Sequence, residues 1–349
     1  MKKILFFILC LPLWFTACNI HEWPVVEEVV PVQLSVEYNI QHLTWTGWDY
    51  MEGDEGSSSV GDTYANEIKE GKLRYTIRTF PVSGTSRSSD GIYQEHVFIK
   101  DVTDHSGLNE TLYLPAGEYN VVVWADYMKK STDEGYYQLD DFSEIKLNDN
   151  SIGNNDYHDA YRGVCNITLV SDVYQGNSVV SNIEMQRPLA KLELITTDLD
   201  KFLGKGKVKS ISEKQINNVG NHPETVDLED YKVVFYYVGY RPIAYSMFAD
   251  RPVDSVTGAF FESTLKRLNE NEASLGFDYI FVNGTESAVT VQIGIYDKKG
   301  NQLSLTDPIK IPLKRNFHTK MYGEFLTSNT SGGVHITPDY DGDHNLILP

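Results

Sequence analysis

The feature that most constrains this chain is a period of two that keeps returning along it. From Pro31 the apolar residues Val32, Leu34, Val36, Tyr38 and Ile40 fall at every second position, the pattern of a strand half-buried against a core. Strand-like runs follow at 73–78, 95–99, 111–114, 119–124, 179–185, 190–195, 232–238, 279–282 and 288–295, with a last one at 345–348. Clusters of Gly, Pro, Asn, Asp and Ser separate them. Helical spacing is confined to 197–204, where Thr197 or Asp198 would cap one or two turns and Gly204 would close them, and to a weaker stretch at 261–268. Many short strands without alternating long helices give β-sandwiches, not a parallel sheet covered by helices. Between the runs 279–282 and 288–295, Asn283-Gly284 suits a tight turn with positive φ and predicts a hairpin.

With 349 residues there is enough chain for two such sandwiches. The expected division is a leader at 1–17, a tether at 18–30, an N-terminal sandwich at 31–175 and a C-terminal sandwich at 176–349. The break falls where Ser171-Asp172 and Gln175-Gly176-Asn177-Ser178 interrupt the alternation. The tether carries Pro24 and acidic residues with little periodicity, and residues 52–64 are rich in Gly, Ser and Asp and read as a flexible loop.

The N-terminus explains why the chain needs a tether. Met1-Lys2-Lys3, an apolar run to Phe15 and the small residues Thr16-Ala17 form a secretory signal, because the run is too short for a membrane span. Phe15-Thr16-Ala17-Cys18 resembles the bacterial lipobox, in which cleavage precedes a cysteine that then carries lipid. Acyl chains bury at roughly 0.8 kcal/mol per CH₂, so a multiply acylated Cys18 would anchor a globular protein to a membrane. Of Cys 3, Cys10 leaves with the leader and Cys18 is acylated, so Cys165 alone remains a thiol and no internal disulfide is expected. Its setting, Val164-Cys165-Asn166-Ile167, is that of a small hydrophobe in a strand.

Charge removes one class of partner. Of 30 basic residues the leader takes Lys2 and Lys3, leaving 28 against 49 acidic ones, a net −21. Nucleic acid needs a basic stripe and is not expected as a partner. No motif of a catalytic site is present: Gly84-Thr85-Ser86-Arg87-Ser88 lacks the closing glycine of a nucleophile elbow, and Gly204-Lys205-Gly206-Lys207 lacks phosphate-loop spacing. No enzyme activity and no cofactor are expected. Asp339, Asp341 and Asp343 alternate as Ca²⁺ ligands can, although a bidentate Glu does not follow and an Asp/Gly turn explains them equally. Trp45 and Trp48, beside the flexible loop, are candidates for a glycan-stacking platform.

Several stretches resemble one family. Leu114-Pro115-Ala116-Gly117-Glu118-Tyr119 leading to Val123-Trp124-Ala125-Asp126 resembles the L-P-x-G-x-Y…V-W-A-D strand of transthyretin-like fimbrial domains. Arg187-Pro188-Leu189-Ala190-Lys191 is similar to the R-x-x-A-K strand of fimbrillin-like proteins of Bacteroidetes. Ile311-Pro312-Leu313-Lys314-Arg315-Asn316 through Gly323-Glu324-Phe325-Leu326-Thr327 is similar to their closing segment. The resemblance implies two tandem sandwiches of transthyretin-like topology in an outer-membrane lipoprotein, a fimbrial anchor or accessory subunit with a role in pilus assembly or adhesion. A surface glycan-binding lipoprotein is the alternative. It also implies fimbrial subunits as partners by donor-strand addition, in which one subunit's strand completes the sheet of the next. Shaft subunits of that family are primed by a protease that cuts after Arg or Lys and removes the first strand. Here Lys69 and Arg74 are the first such residues of the mature chain, and no basic residue precedes the first strand. Arg187 and Lys191 are read as structural.

Overall fold

The computed structural model describes residues 29–37, 45–46, 63–64, 70–82, 91–104, 106–130, 132–148, 152–170, 179–210, 227–283, 286–327 and 346–347. It is almost entirely β. One sheet of the N-terminal half places β1 (Val29–Glu37) between β6 (Leu108–Pro115) and β11 (Val179–Glu184). The facing sheet has the order β10 (Ala160–Leu169), β7 (Gly117–Tyr127), β4 (Lys72–Pro81) and β5 (Gln94–Asp101). Between them lies a core of Val30, Val32, Leu34, Val36, Ile77, Leu112, Val121, Val123 and Ile183, the inner positions of strands that alternate inward and outward. β1 starts two residues inside the stretch expected as tether. β11, C-terminal to residue 175, is the parallel neighbour of β1 and so belongs to this first pair of sheets.

The C-terminal half repeats the arrangement. One sheet runs β17 (Lys266–Arg267), β18 (Ala273–Phe281), β12 (Leu189–Thr196), β22 (His318–Gly323) and β23 (Leu346–Ile347). The other runs β16 (Phe260–Thr264), β13 (Lys232–Tyr237), β19 (Glu286–Tyr296) and β20 (Gln302–Leu305), with β21 (Ile309–Lys314) also on β19. Leu192, Leu194, Val233, Phe235, Leu275, Val291, Ile293, Ile311 and Met321 fill the space between them. The short pair β2 (Trp45–Thr46) and β3 (Thr63–Tyr64) stands apart.

Three local expectations fail for identifiable reasons. β18 and β19 do not form a hairpin at Asn283-Gly284: the two edges of β18 are taken by β12 and β17, and β19 joins β13, β20 and β21 in the opposite sheet. The stretch 261–268 is strand, because Phe261 and Leu265 are drawn into the core. The one α-helix among the described residues, α1 (Leu199–Ser210), passes through Gly204. The Asp198 carboxylate instead accepts from Thr327 N at 2.8 Å and Thr327 Oγ1 at 2.7 Å, pinning the chain after β22.

The two sandwiches share a third core, which no periodicity announced. Val122 and Trp124 on the outer side of β7 pack with Phe142 and Ile145 from the N-terminal half and with Leu189, Tyr245, Tyr279 and Phe281 from the C-terminal half. A further sheet crosses the same junction, in the order β15 (Arg251–Thr257), β14 (Tyr240–Ser246), β9 (Ile145–Leu147) and β8 (Tyr137–Gln138). Its β14–β9 ladder joins the halves through backbone hydrogen bonds. Burial on both faces explains why residues 121–125 of β7 form an unbroken apolar run where a one-sided strand would alternate.

Candidate functional site

The feature on which the fimbrial reading turns is the place of the first strand. β1 pairs antiparallel with β6 from Val29–Pro115 to Val36–Leu108, and parallel with β11 from Val32–Val179 to Glu37–Glu184. Pro31, which has no N–H to give, sits just before the second neighbour begins, where a strand tolerates proline. Val30, Val32, Leu34 and Val36 are all at most 1% exposed. At about 25 cal/mol per Å² of apolar surface, four such side chains contribute several kcal/mol to keeping the strand in place. The place between β6 and β11 is filled by the chain's own β1.

A buried polar cluster fixes the start of the C-terminal half behind this sheet. Arg187 Nε lies 2.9 Å from both oxygens of Asp159, Nη2 donates to Tyr161 OH at 2.9 Å and Nη1 to Asn316 Oδ1 at 3.1 Å. Burial opposes the guanidinium's charge, but Asp159, Tyr161 and Tyr279 together outweigh it and hold the Arg187 pKa above its ordinary value. Lys191 Nζ donates to Asp156 Oδ1 at 2.8 Å and stands 4.1 Å from the centre of the Phe277 ring. Both residues lock elements of the fold together, as read from the sequence. Nearby, Asp250 bridges Arg162 of β10 at 3.0 Å and Arg315 at 2.9 Å, one from each half.

Cys165 lies in β10, half-buried, with Ser181 Oγ donating to its sulfur at 3.3 Å. Burial pushes its thiol pKa up, so it is not poised as a nucleophile. Cys18, Trp48, Asp339, Asp341 and Asp343 lie outside the described residues. Trp45 pairs through its backbone with Tyr64. Among the described residues no group of three or more His, Cys, Asp or Glu could hold a metal ion. No helix among them is long and apolar enough to cross a membrane.

Two concavities lie elsewhere, on the C-terminal half. An open groove of about 770 Å³ is bordered by Tyr231, Lys232, Glu262, Lys266, Phe277 and Lys298, among others. Next to it, a trough of about 300 Å³ is lined by Lys232, Val234, Tyr236, Phe260, Glu262, Tyr296 and Gly300. These aromatic residues were not singled out in the sequence. Their signal was the alternation Lys232, Val234, Tyr236, which places a tyrosine on the face opposite Val233 and Phe235.

Two joined β-sandwich units with the first strand in place define a β-rich protein built as a pair of sandwiches. Residues 28–349 match the family model described as a family of unknown function, DUF6562, and the chain belongs to that family. Its structure is similar to that of a candidate adhesin from Bacteroides thetaiotaomicron, at 12% identity over 81% of this chain and 80% of that one, with a TM-score of 0.40. It is also similar to the fimbrial anchor protein Mfa2 from Porphyromonas gingivalis, at 11% identity over 79% and 82%, TM-score 0.39. A third likeness is to the C-terminally truncated tip fimbrial protein Mfa3 from the same organism, at 10% identity over 81% of each chain, TM-score 0.37. No curated protein matches the sequence.

Proposed function

We propose that the chain is a non-enzymatic cell-envelope lipoprotein of fimbrial type, an anchor or accessory subunit serving pilus assembly or adhesion, held to the outer membrane by lipid on Cys18. The observation that carries this reading is the resident first strand. A shaft subunit must lose that strand to receive its neighbour's, whereas an anchored subunit keeps both strand and lipid. Here β1 is paired on both edges and its apolar side chains are sealed in the core.

The test uses the full chain in a Gram-negative host given a clickable palmitate analogue. Wild type should carry the label, sediment with outer membranes and begin at Cys18, whereas Cys18→Ala should lose the label and appear in the soluble fraction. Membrane retention of the unlabelled variant, or a mature N-terminus beyond Glu37, would count against the proposal.

A further inference from the structure

We propose that the outward face of the sheet formed by β16, β13, β19 and β20 is a glycan-binding surface, which takes a neutral hexopyranose chain on a platform of Tyr236, Tyr296 and Phe260. The inference is independent of how the protein is anchored.

The register sets out the platform. Tyr236 lies opposite Phe260 on one side and Gln292 on the other; Val234 lies between Glu262 and Gly294; Lys232 lies between Thr264 and Tyr296. Their neighbours Val233, Phe235 and Tyr237 face inward and are buried, so this set faces out. Gly294 decides the geometry. A Cβ at that position would come within 2.8 Å of Tyr296 Cε2 and 3.2 Å of Tyr236 Cε2. Because none is there, both rings lie down across the glycine, and their hydroxyls meet at 2.9 Å. Burial, and then the bond to Tyr296, push the Tyr236 hydroxyl's pKa up to about 12, so that phenol stays neutral. Phe260 extends the surface on the other side, its ring centre 6.4 Å from that of Tyr236, and it is 57% exposed.

Flat aromatic faces on a rigid sheet, that of Phe260 exposed and those of Tyr236 and Tyr296 half-buried, suit the axial C–H faces of a sugar ring, whose hydrogens are drawn to the negative face of the π system. The polar groups around them fit the rest of such a ligand. Lys232 and Glu262 pair at 2.9 Å and Lys298 and Asp230 at 2.7 Å, all four partly exposed. The charges along the groove are therefore matched locally, although the chain as a whole is strongly acidic. That is a poor attractor for an anionic polymer, yet it offers hydrogen-bond donors and acceptors to hydroxyls. The trough of about 300 Å³ shares Lys232, Glu262 and Gly300 with the 770 Å³ groove. Both fall in the range of roughly 300–1,000 Å³ usual for ligand sites, and together they give length for several sugar units.

The experiment is affinity gel electrophoresis of the full chain carrying Cys18→Ala, so that it is soluble, in gels containing yeast mannan, laminarin, galactan or dextran, with polygalacturonate as the acidic control. Wild-type platform residues should give retardation in at least one neutral gel. Tyr296→Ala or Phe260→Ala should weaken it about tenfold. Tyr296→Phe, which keeps the ring, should change it less than threefold. Gly294→Ala should weaken it although every ring remains, because the added methyl lifts both tyrosines. Far-UV circular dichroism and thermal unfolding check that the variants fold. The inference is overturned by no retardation in any neutral gel, by stronger retardation in polygalacturonate, or by retardation unchanged in the Phe260→Ala/Tyr296→Ala double variant. Concentration-dependent dimerisation abolished by Phe260→Ala would also overturn it, by making the face a contact between copies.

Discussion

Arg187 and Asp159 meet fully buried: the guanidinium Nε is 2.9 Å from both carboxylate oxygens, and neither side chain exposes any surface. Tyr161 closes the cluster, accepting from Arg187 and donating to Asp159 Oδ2 at 2.7 Å. Such a pair contributes little over a well-packed apolar replacement, but removing one partner strands the other charge. Arg187→Ala should therefore destabilise the fold by about 3–5 kcal/mol in urea unfolding. Arg187→Lys should restore only a minor part, since an ammonium lacks the fork that reaches Asp159, Tyr161 and Asn316 together. Full rescue by lysine would show that charge alone matters there.

Asp250 takes hydrogen bonds from Arg162 in one sandwich and from Arg315 and Tyr245 in the other, with φ at 53°. Asp250→Ala leaves two guanidiniums facing each other and puts alanine in a left-handed conformation, at a cost of about 1–3 kcal/mol. Asp250→Asn, which tolerates that φ and keeps an acceptor, should lose less. In calorimetry both variants should still unfold in one transition, shifted down, because the third core around Trp124 and Phe281 remains. Two separate transitions in Asp250→Ala would show that the polar bridge, not the shared core, couples the halves.

How much of this could be read from the sequence depended on how many faces of an element are buried. β1 alternates, and its inner and outer residues follow from the sequence directly; in β5 the apolar Val97 and Ile99 are the exposed ones. β7 could be recognised as a strand, but nothing local says that Trp124 packs against Tyr245, more than 100 residues away, in one core with Phe281. The Asn283-Gly284 turn misled for a related reason: turn chemistry reports a sharp reversal, not whether the following strand joins the same sheet or the opposite one. Asp198 was legible as a capping residue, yet its carboxylate is committed to Thr327, a contact set by tertiary packing. The aromatic platform stayed hidden because Tyr236, Phe260 and Tyr296 come from three strands and depend on a glycine in the third.

Glu193 is mostly buried, with Ser274 Oγ donating to it at 2.8 Å and His318 Nε2 lying 3.0 Å from its other oxygen. Burial works to raise its pKa, but His318 and Ser274 outweigh it and hold the carboxyl at about 2, below its ordinary 4.5. The folded state thus binds the proton less readily than the unfolded chain. The stability it contributes is complete above about pH 4.5 and is lost as pH falls through about 2, up to roughly 3 kcal/mol. Urea midpoints measured across that window should fall more steeply for wild type than for Glu193→Gln. Parallel curves would remove Glu193 from the acid sensitivity.

The first strand offers the sharpest physical test of an anchored subunit. Between Val32 and Val36, β1 has ladder neighbours on both sides, and its inward side chains Val32, Leu34 and Val36 are sealed by Leu112, Ile77 and Ile183 among others. A strand that leaves its groove must break both ladders and expose those side chains together, so its opening should resemble global unfolding of the N-terminal sandwich. The amides of residues 32–36 should exchange with deuterium as slowly as those of β6 and β7. Leu34→Ala, which leaves a cavity in the middle of the core, should cost about 2–5 kcal/mol and accelerate exchange throughout that sandwich. Fast exchange confined to β1 in the intact protein would describe a strand poised to depart, the behaviour of a subunit that accepts a donor, and would remove the ground for the anchor reading.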